Sequence, residues 1–367
     1  MVQITRRTTA SFALLALVPL SAQAKTKAID AVVSSKAEPG SYSTLQAAVD
    51  AAPQGMTTPF RIAIRAGTFA AQTTVRRANI EIYGAGIGKT VLSNDAYAGK
   101  LAPDGKPYGT FRTATLNVLA PGFRIENLTI ENAFDAPAEM RRAGGLRADE
   151  GGSQQAIALS LGRGSDRAVV RNCHILSHQD TLYCAEGRAL FERCLIAGSY
   201  DFIFGGATVL FERCEVRSRP RIDPIEGYVA APSTMIDQSA GLVFSRCRLT
   251  ADAGVPDYSV FLGRPWRGAS ITLNGKRVGD PRSVGMAAYL NCYLGRHIAP
   301  SGWTRMWYVG SDGNPKTWFE PEEARFREFR NIGPGARGVR RGQTLSVAEA
   351  AALSRPHLFG DWDPRSV

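Results

Sequence analysis

One short segment recurs down this chain at an almost constant interval. Residues 169–175, 190–196 and 210–216 each run aliphatic or aromatic residues into Asn or Arg, then cysteine, then a pair that ends in Ile or Val. Cys173, Cys194 and Cys214 hold the same slot, 21 and then 20 residues apart. Residues 243–249 with Cys247 and 289–294 with Cys292 repeat it after longer intervals, and residues 124–130 are an earlier copy with Leu128 in the slot. A period of about 20 to 25 residues defines a solenoid, in which each coil buries its apolar face only against its neighbours. Helical solenoids need long stretches with 3.6-residue periodicity. These units are short, rich in Val, Ile and Phe, and bounded by Gly, Ser and Asp, which reads as strands. The expected fold is therefore all-β: a β-helix of parallel strands, with coils about 4.8 Å apart.

The end of such a solenoid is an unpaired edge that must be covered. Two short helices are available to cap it or to pack alongside. Ser43-Thr44-Leu45-Gln46 has a capping-box pattern with Pro53 as its stop, and Ser346-Val347-Ala348-Glu349 starts a second near the C-terminus.

The first 24 residues stand apart. Arg6 and Arg7 precede an apolar run over residues 12–20, and Ala22-Gln23-Ala24 forms a small-x-small cleavage site. This predicts a secretory signal peptide over residues 1–24, too short for the roughly 20 apolar residues of a membrane span. The expected product is a single domain, residues 25–367, since no Pro/Gly/Ser linker or charge block divides it. It is expected to be secreted, extracellular or periplasmic, without a membrane partner, and monomeric; the export route, general or twin-arginine, stays open. The formal charge of +11 falls to about +9 without Arg6 and Arg7, which favours a polyanionic partner. Export favours an acidic polysaccharide over nucleic acid.

All six cysteines lie beyond residue 24, and five occupy the repeated slot. Cα atoms one coil apart fall within the disulfide range of about 4.4 to 6.8 Å, and an oxidising compartment permits a bond. Cys194 with Cys214 is the pair expected if one forms. The alternative is a ladder of buried thiols filling small core positions. No C-x-x-C or neighbouring His pair suggests zinc.

Asp180 and Asp201 are also 21 residues apart. In a 21-residue coil they occupy equivalent positions on adjacent turns, with carboxyl groups on the order of 5 Å apart. At an effective dielectric near 20, two such charges repel by about 3 kcal/mol, so one holds its proton near neutrality. The pair then supplies an anionic nucleophile and a proton donor. A single Asp here would more simply cap a turn; two in register amid aromatics and amides favour chemistry. No G-x-S-x-G elbow supports serine catalysis. His178 lies beside the pair but reads as structural. The run Gly84-Ala85-Gly86-Ile87-Gly88-Lys89-Thr90 has Tyr83 where a phosphate-binding loop needs its first Gly, and reads as a turn between coils.

Four blocks resemble the signatures of pectin methylesterases, in the family's order and at similar spacing: Gln155-Ala156-Ile157-Ala158-Leu159, Gln179-Asp180-Thr181-Leu182-Tyr183, Asp201-Phe202-Ile203-Phe204-Gly205 and Leu262-Gly263-Arg264-Pro265-Trp266. Residues 110–115, 42–53 and 359–362 extend the likeness over nearly the whole mature chain, and Gly227-Tyr228-Val229-Ala230-Ala231-Pro232 is closer to bacterial members. The resemblance implies a right-handed parallel β-helix that hydrolyses methyl esters of pectin without metal or organic cofactor. It implies Asp201 as nucleophile, Asp180 as general acid and then base, Gln179 and Gln155 as oxyanion donors, and Arg264 as the partner of Asp201. Thr110, Gln155, Tyr183, Phe204, Arg264 and Trp266 would contact the sugar chain, and Arg221 its carboxylates. Phe69 and Ala70 stand where many relatives have Tyr and Glu, Phe261 replaces a usual Tyr, and residues 222–226 form a shorter stretch than in bacterial relatives. A thioesterase on this scaffold would lack the sugar-facing aromatics, and a non-catalytic polysaccharide binder would not need the Asp, Gln and Arg set together. A pectate lyase would eliminate, usually with calcium.

Overall fold

The computed structural model describes residues 28–36, 38–142, 153–221 and 227–364. The proposed leader and residues 222–226 lie outside them. The chain winds as a right-handed parallel β-helix. Three sheets of 11, 7 and 8 strands run along it, with sequential neighbours in each sheet coming from successive coils. The first sheet carries the recurrent apolar runs: Ala168–Arg171, Arg188–Glu192, Thr208–Glu212, Leu242–Ser245 and Met286–Leu290 pair in parallel and in register.

An Asn or Arg makes the corner between the first and third of these sheets, and at five of the corners below it directly precedes a cysteine. Asn127, Asn172, Arg193, Arg213, Arg246, Asn291 and Arg330 all have positive φ, between 47° and 61°. A non-glycine residue there costs about 1–2 kcal/mol, so the repeated bend is held by the strands on either side. Immediately after it, the small cysteine turns inward and is buried.

The core is stacked by residue type. Phe191, Phe211, Phe244 and Tyr289 follow one another at ring-centroid distances of 5.0, 4.6 and 4.4 Å, and Trp303 and Phe326 continue the column at 5.6 and 4.1 Å. Each contact adds about 0.5–1.5 kcal/mol beyond area burial.

Beside this column runs a ladder of thiols: of the two alternatives, a Cys194–Cys214 bond or buried thiols, the structure has the thiols, with all six cysteines free and buried. In the five slot cysteines each sulfur lies against a backbone carbonyl of an earlier coil, and Cys194, Cys214, Cys247 and Cys292 also hydrogen-bond in sequence as thiols. Cys194 Sγ lies 3.4 Å from Val170 O, and Cys214 Sγ lies 3.4 Å from Phe191 O. A bond between them would need both side chains to leave these carbonyls.

The N-terminal helix, Leu45–Asp50, inserts Leu45, Ala48 and Val49 into the core at the first coil. Its cap differs in detail from the expected pattern. Thr44, not Ser43, accepts from Ala47 N, and Gln46 does not close a capping box. Instead Gln46 Oε1 accepts from Thr74 N at 2.8 Å and its Nε2 donates to Thr74 O at 3.2 Å. The amide thus imitates a neighbouring strand on the free edge of Thr73–Val75, which answers the edge problem directly. The C-terminal helix Val347–Ala351 has the full capping box of Ser346 and Glu349. The following helix, Arg355–Phe359, packs alongside: Leu358 and Phe359, with Leu345 just ahead of Val347–Ala351, cover Leu190, Leu210 and Val243 on the outer face of the first sheet.

Two outcomes check this architecture. Phe244→Ala removes a fully buried ring from the middle of the column and is expected to cost about 3–5 kcal/mol, read as a shifted denaturation midpoint with unchanged native circular dichroism. Thiol titration of the denatured, unreduced chain is expected to find six reactive thiols, the cysteine count of the sequence; four would restore the disulfide.

Candidate active site

Asp180 and Asp201 sit in equivalent turns on adjacent coils. Gln179 and Tyr200 form a parallel bridge, Asp180 N donates to Tyr200 O at 3.1 Å, and Leu182 pairs with Ile203 directly downstream. Both aspartates have positive φ, 62° and 46°. Asp tolerates that conformation better than most residues because its short polar side chain bonds locally. Gly198 makes room for the second turn, since a Cβ there would stand 2.2 Å from that of Phe202.

Arg264 reaches Asp201 from the strand two coils on. Its Nε and Nη2 donate to the two carboxylate oxygens at 2.9 and 2.7 Å, with both residues only 8% exposed. The guanidinium is flanked by aromatic rings, with Tyr228 at 3.9 Å and Tyr200 at 4.6 Å from centroid. Arg264 N and Trp266 N bond Ala230 O and Pro232 O, so Pro265 falls at the one position between them whose missing N–H is not needed for that ladder. Burial works against the Arg264 charge, yet Asp201 more than restores it, and the guanidinium stays firmly protonated.

Asp180 has no such cation among the described residues. Burial, and then the neighbouring Asp201, push its carboxyl well above the ordinary 3.8, with Arg264 only partly opposing. One aspartate is therefore presented as an ion-paired anion and the other as a proton holder. His178 takes no part in this balance. Burial, with Arg219 next, drives its imidazole down to about 3, so it is neutral over the working range.

Gln155 joins the site through an irregularity. Ala158 N and Leu159 N both bond Thr181 O, so the pairing slips by one residue, and upstream Ala156 N bonds Gln179 O. That slip aligns Gln155 with Gln179. Among the described residues neither side-chain amide makes a hydrogen bond, which leaves two donors beside the carboxyl pair. A buried polar lattice supports this stretch. Ile157 N donates to Thr113 Oγ1 at 3.0 Å, while Asn132 Nδ2 reaches Ala96 O, Thr113 O and Ile157 O at 2.8, 3.2 and 3.2 Å.

The outer face of the same sheet carries an aromatic line. Phe111 and Tyr183 lie 5.0 Å apart, Tyr183 and Phe204 4.7 Å, and Phe204 and Trp266 5.6 Å. Thr110 opens the 3-10 turn Thr110–Arg112 at one end of it. Arg221 lies at the rim with its guanidinium 4.4 Å from the Tyr200 ring centroid. Asp180, Asp201, Arg264 and the aromatic line are thus brought together by the coil register, with Gln179 and Arg221 lining one adjoining pocket. Sequence reasoning missed Phe111, Tyr200, Tyr228, Thr113 and Asn132. Phe111 had a signal, an aromatic beside Thr110 in a recognised block. Tyr200 and Tyr228 had none, because only the coil register places them on Arg264.

A parallel β-helix with a buried Asp pair, one member clamped by arginine, two free amides and an aromatic groove is equipped for acyl transfer from an ester. A family model for pectinesterase matches residues 30–353. The chain is 36% identical over 346 residues to pectinesterase A of Dickeya dadantii, covering 91% of this chain and 92% of that protein. Among solved structures, a pectin methylesterase in complex with a hexasaccharide superposes with a TM-score of 0.85 at 35% identity, over 92% of this chain and 99% of the other. The pectin methylesterase of Yersinia enterocolitica gives 0.81 at 35% identity, over 88% and 99%. The chain belongs to the pectinesterase family and is a carboxylic ester hydrolase.

The raised Asp180 carboxyl has a stability consequence. A group whose folded pKa is raised contributes stability fully present below its unfolded value and lost as pH rises through the folded one. Asp180→Asn keeps the shape and tolerates the left-handed turn without that liability. It is expected to match the parent near pH 4 and to melt higher at pH 7, the gain growing with pH in thermal scans. Equal melting temperatures at both pH values would contradict a buried, proton-holding Asp180.

Proposed function

We propose that this protein de-esterifies pectin through a covalent acyl-enzyme on Asp201. The observation that carries the reading is the two-pronged Arg264–Asp201 pair lying one coil from the buried Asp180. An Asp201 oxygen attacks the C6 carbonyl carbon of a methylated galacturonate. The carbonyl oxygen takes up negative charge, and Gln179 and Gln155 donate to it. As the C–O bond to the methoxy group breaks, Asp180 gives its proton to the leaving oxygen and methanol departs, leaving a mixed anhydride. Asp180, now a carboxylate, takes a proton from water, whose oxygen attacks the same acyl carbon. Asp201 is released as the anion and Asp180 regains its proton. The new acid group ionises and gives its proton to solvent, so each turnover converts one ester and one water into methanol, a galacturonate carboxylate and a proton.

Phe111, Tyr183, Phe204 and Trp266 offer apolar faces for the sugar rings and the ester methyls. Arg221 and the basic chain as a whole suit the carboxylates that accumulate as the reaction proceeds. Residues 1–24 fit an export leader, matching a substrate outside the cell, and the mature chain is taken to work as a monomer.

The test is methanol release from methylated pectin by residues 25–367, with Asn substitutions that respect the left-handed turns. Asp201→Asn is expected to abolish turnover and Asp180→Asn to lower kcat by about 10²–10⁴. Gln179→Ala and Gln155→Ala should each lower kcat by up to about 10²–10³ with little change in KM, because the oxyanion exists only beyond the ground state. Arg264→Lys keeps charge but loses the fork, so it should fall between the parent and Arg264→Ala. In the parent, kcat/KM should decline on the alkaline side as Asp180 loses its proton. More than a tenth of parental activity in either Asp variant removes that residue from the mechanism, and an unsaturated product without methanol would mark a lyase.

A further inference from the structure

The sheet beneath the groove continues by one more coil, since Gly263 bridges in parallel to Trp303 and Thr304 N bonds Gly263 O. Directly after that coil comes an antiparallel hairpin, Met306–Tyr308 with Thr317–Phe319. Alternation gives the hairpin two different faces. On one, Tyr308 and the buried Phe319 close over the Arg267 guanidinium, 4.7 and 3.9 Å from their centroids. Arg267 follows Trp266 directly, so this face anchors the hairpin to the far end of the groove. On the other face Trp307 and Trp318 are directly opposed, and they are 40% and 47% exposed.

Two large indoles held side by side in solvent do nothing for the core, and no step of the esterase reaction needs them. Arg305 lies over Trp318 at 4.1 Å and bonds Glu320 at 3.3 Å, a carboxylate that also accepts from Arg341. Lys316 and Lys276 border the hairpin as further cations, with Asp312 as its other acid. Flat aromatic faces stack on the C–H faces of pyranose rings, and arginine beside them suits uronate carboxylates.

Resting on the pectin reading, we propose that Trp307, Trp318 and Arg305 form a second binding platform for the same polygalacturonate chain, beyond the Trp266 end of the catalytic groove. The hairpin is tied to Arg267, the residue after Trp266, so a polymer leaving the groove past Trp266 meets the hairpin that carries the platform. Linking two contacts on one chain raises affinity for long substrates without altering the chemistry.

The test compares the parent, Trp307→Ala/Trp318→Ala and, as a variant that leaves both indoles in place, Arg305→Ala. Initial methanol release is measured on high-molecular-weight methylated pectin and on a short methylated oligogalacturonide that fills the groove alone. The double variant should raise KM for the polymer about 3- to 10-fold, the range expected of aromatic contacts. Its kcat should stay within about twofold and its KM for the short substrate should not change. Arg305→Ala should move polymer KM in the same direction by less. Unchanged polymer KM, or equal losses on both substrates, overturns the platform. So does a change in sedimentation coefficient with polymer affinity intact, which would make a second copy of the chain the occupant. Should the parent release no methanol, the catalytic reading fails separately. Affinity electrophoresis through polygalacturonate then judges the platform alone: retardation lost in the double variant supports it, and equal retardation overturns it.

Discussion

In-register stacking of successive coils is the constraint on which everything else rests. A parallel ladder copies position from coil to coil, so a 21-residue spacing in sequence becomes one strand spacing in space. That rule places Asp180 beside Asp201 and stacks Phe191 on Phe211 on Phe244. It also tolerates defects where function needs them. The doubled bond to Thr181 O shifts the pairing by one residue and brings Gln155 level with Gln179. The same regularity lets a repeated left-handed corner be borne at many positions, because each is flanked by strands that pair on both sides.

The site turns this geometry into an electrostatic asymmetry. Two identical carboxyl groups in equivalent turns differ because Arg264 grips only one of them. The rings of Tyr228 and Tyr200 hold the guanidinium from its flanks, so its fork is aimed as well as charged. Asp180 is left to burial and to its neighbour's charge, both of which favour the acid form. This arrangement is costly to the fold at neutral pH and useful to a reaction that needs an anion and an acid together. Beneath it, the Thr113 hydroxyl accepts from Ile157 N, a backbone group that the bulged segment would otherwise leave buried and unpaired, at a cost of about 1–3 kcal/mol.

Much of this was legible in the sequence because a solenoid writes its geometry as a period. The spacing of Cys173, Cys194 and Cys214 gave both the coil length and the registration of the aspartates. Less accessible was anything decided by side-chain direction. The thiols were placed in the correct slot, yet whether neighbours were joined covalently or only hydrogen-bonded was not written in the spacing; in the structure each stays a thiol against a carbonyl of an earlier coil. Gln46 looked like part of a helix cap and instead covers a strand edge, a partnership with residue 74 that no local pattern encodes. Tyr200 and Tyr228 flank Arg264 from different coils, across 64 and 36 residues of sequence, so their role follows only from the folded register.

The central claim is that a single aspartate, Asp180, holds its proton because it is buried beside the arginine-paired Asp201. Carboxyl 13C NMR of the aspartate-labelled protein, titrated with pH, addresses it most directly. One resonance is expected to stay in the acid form well above pH 3.8, to be absent from Asp180→Asn, and to titrate lower in Asp201→Asn, where the neighbouring charge is gone. A delayed titration that persists in Asp180→Asn, or an Asp180 resonance that titrates with the exposed aspartates, would contradict the claim.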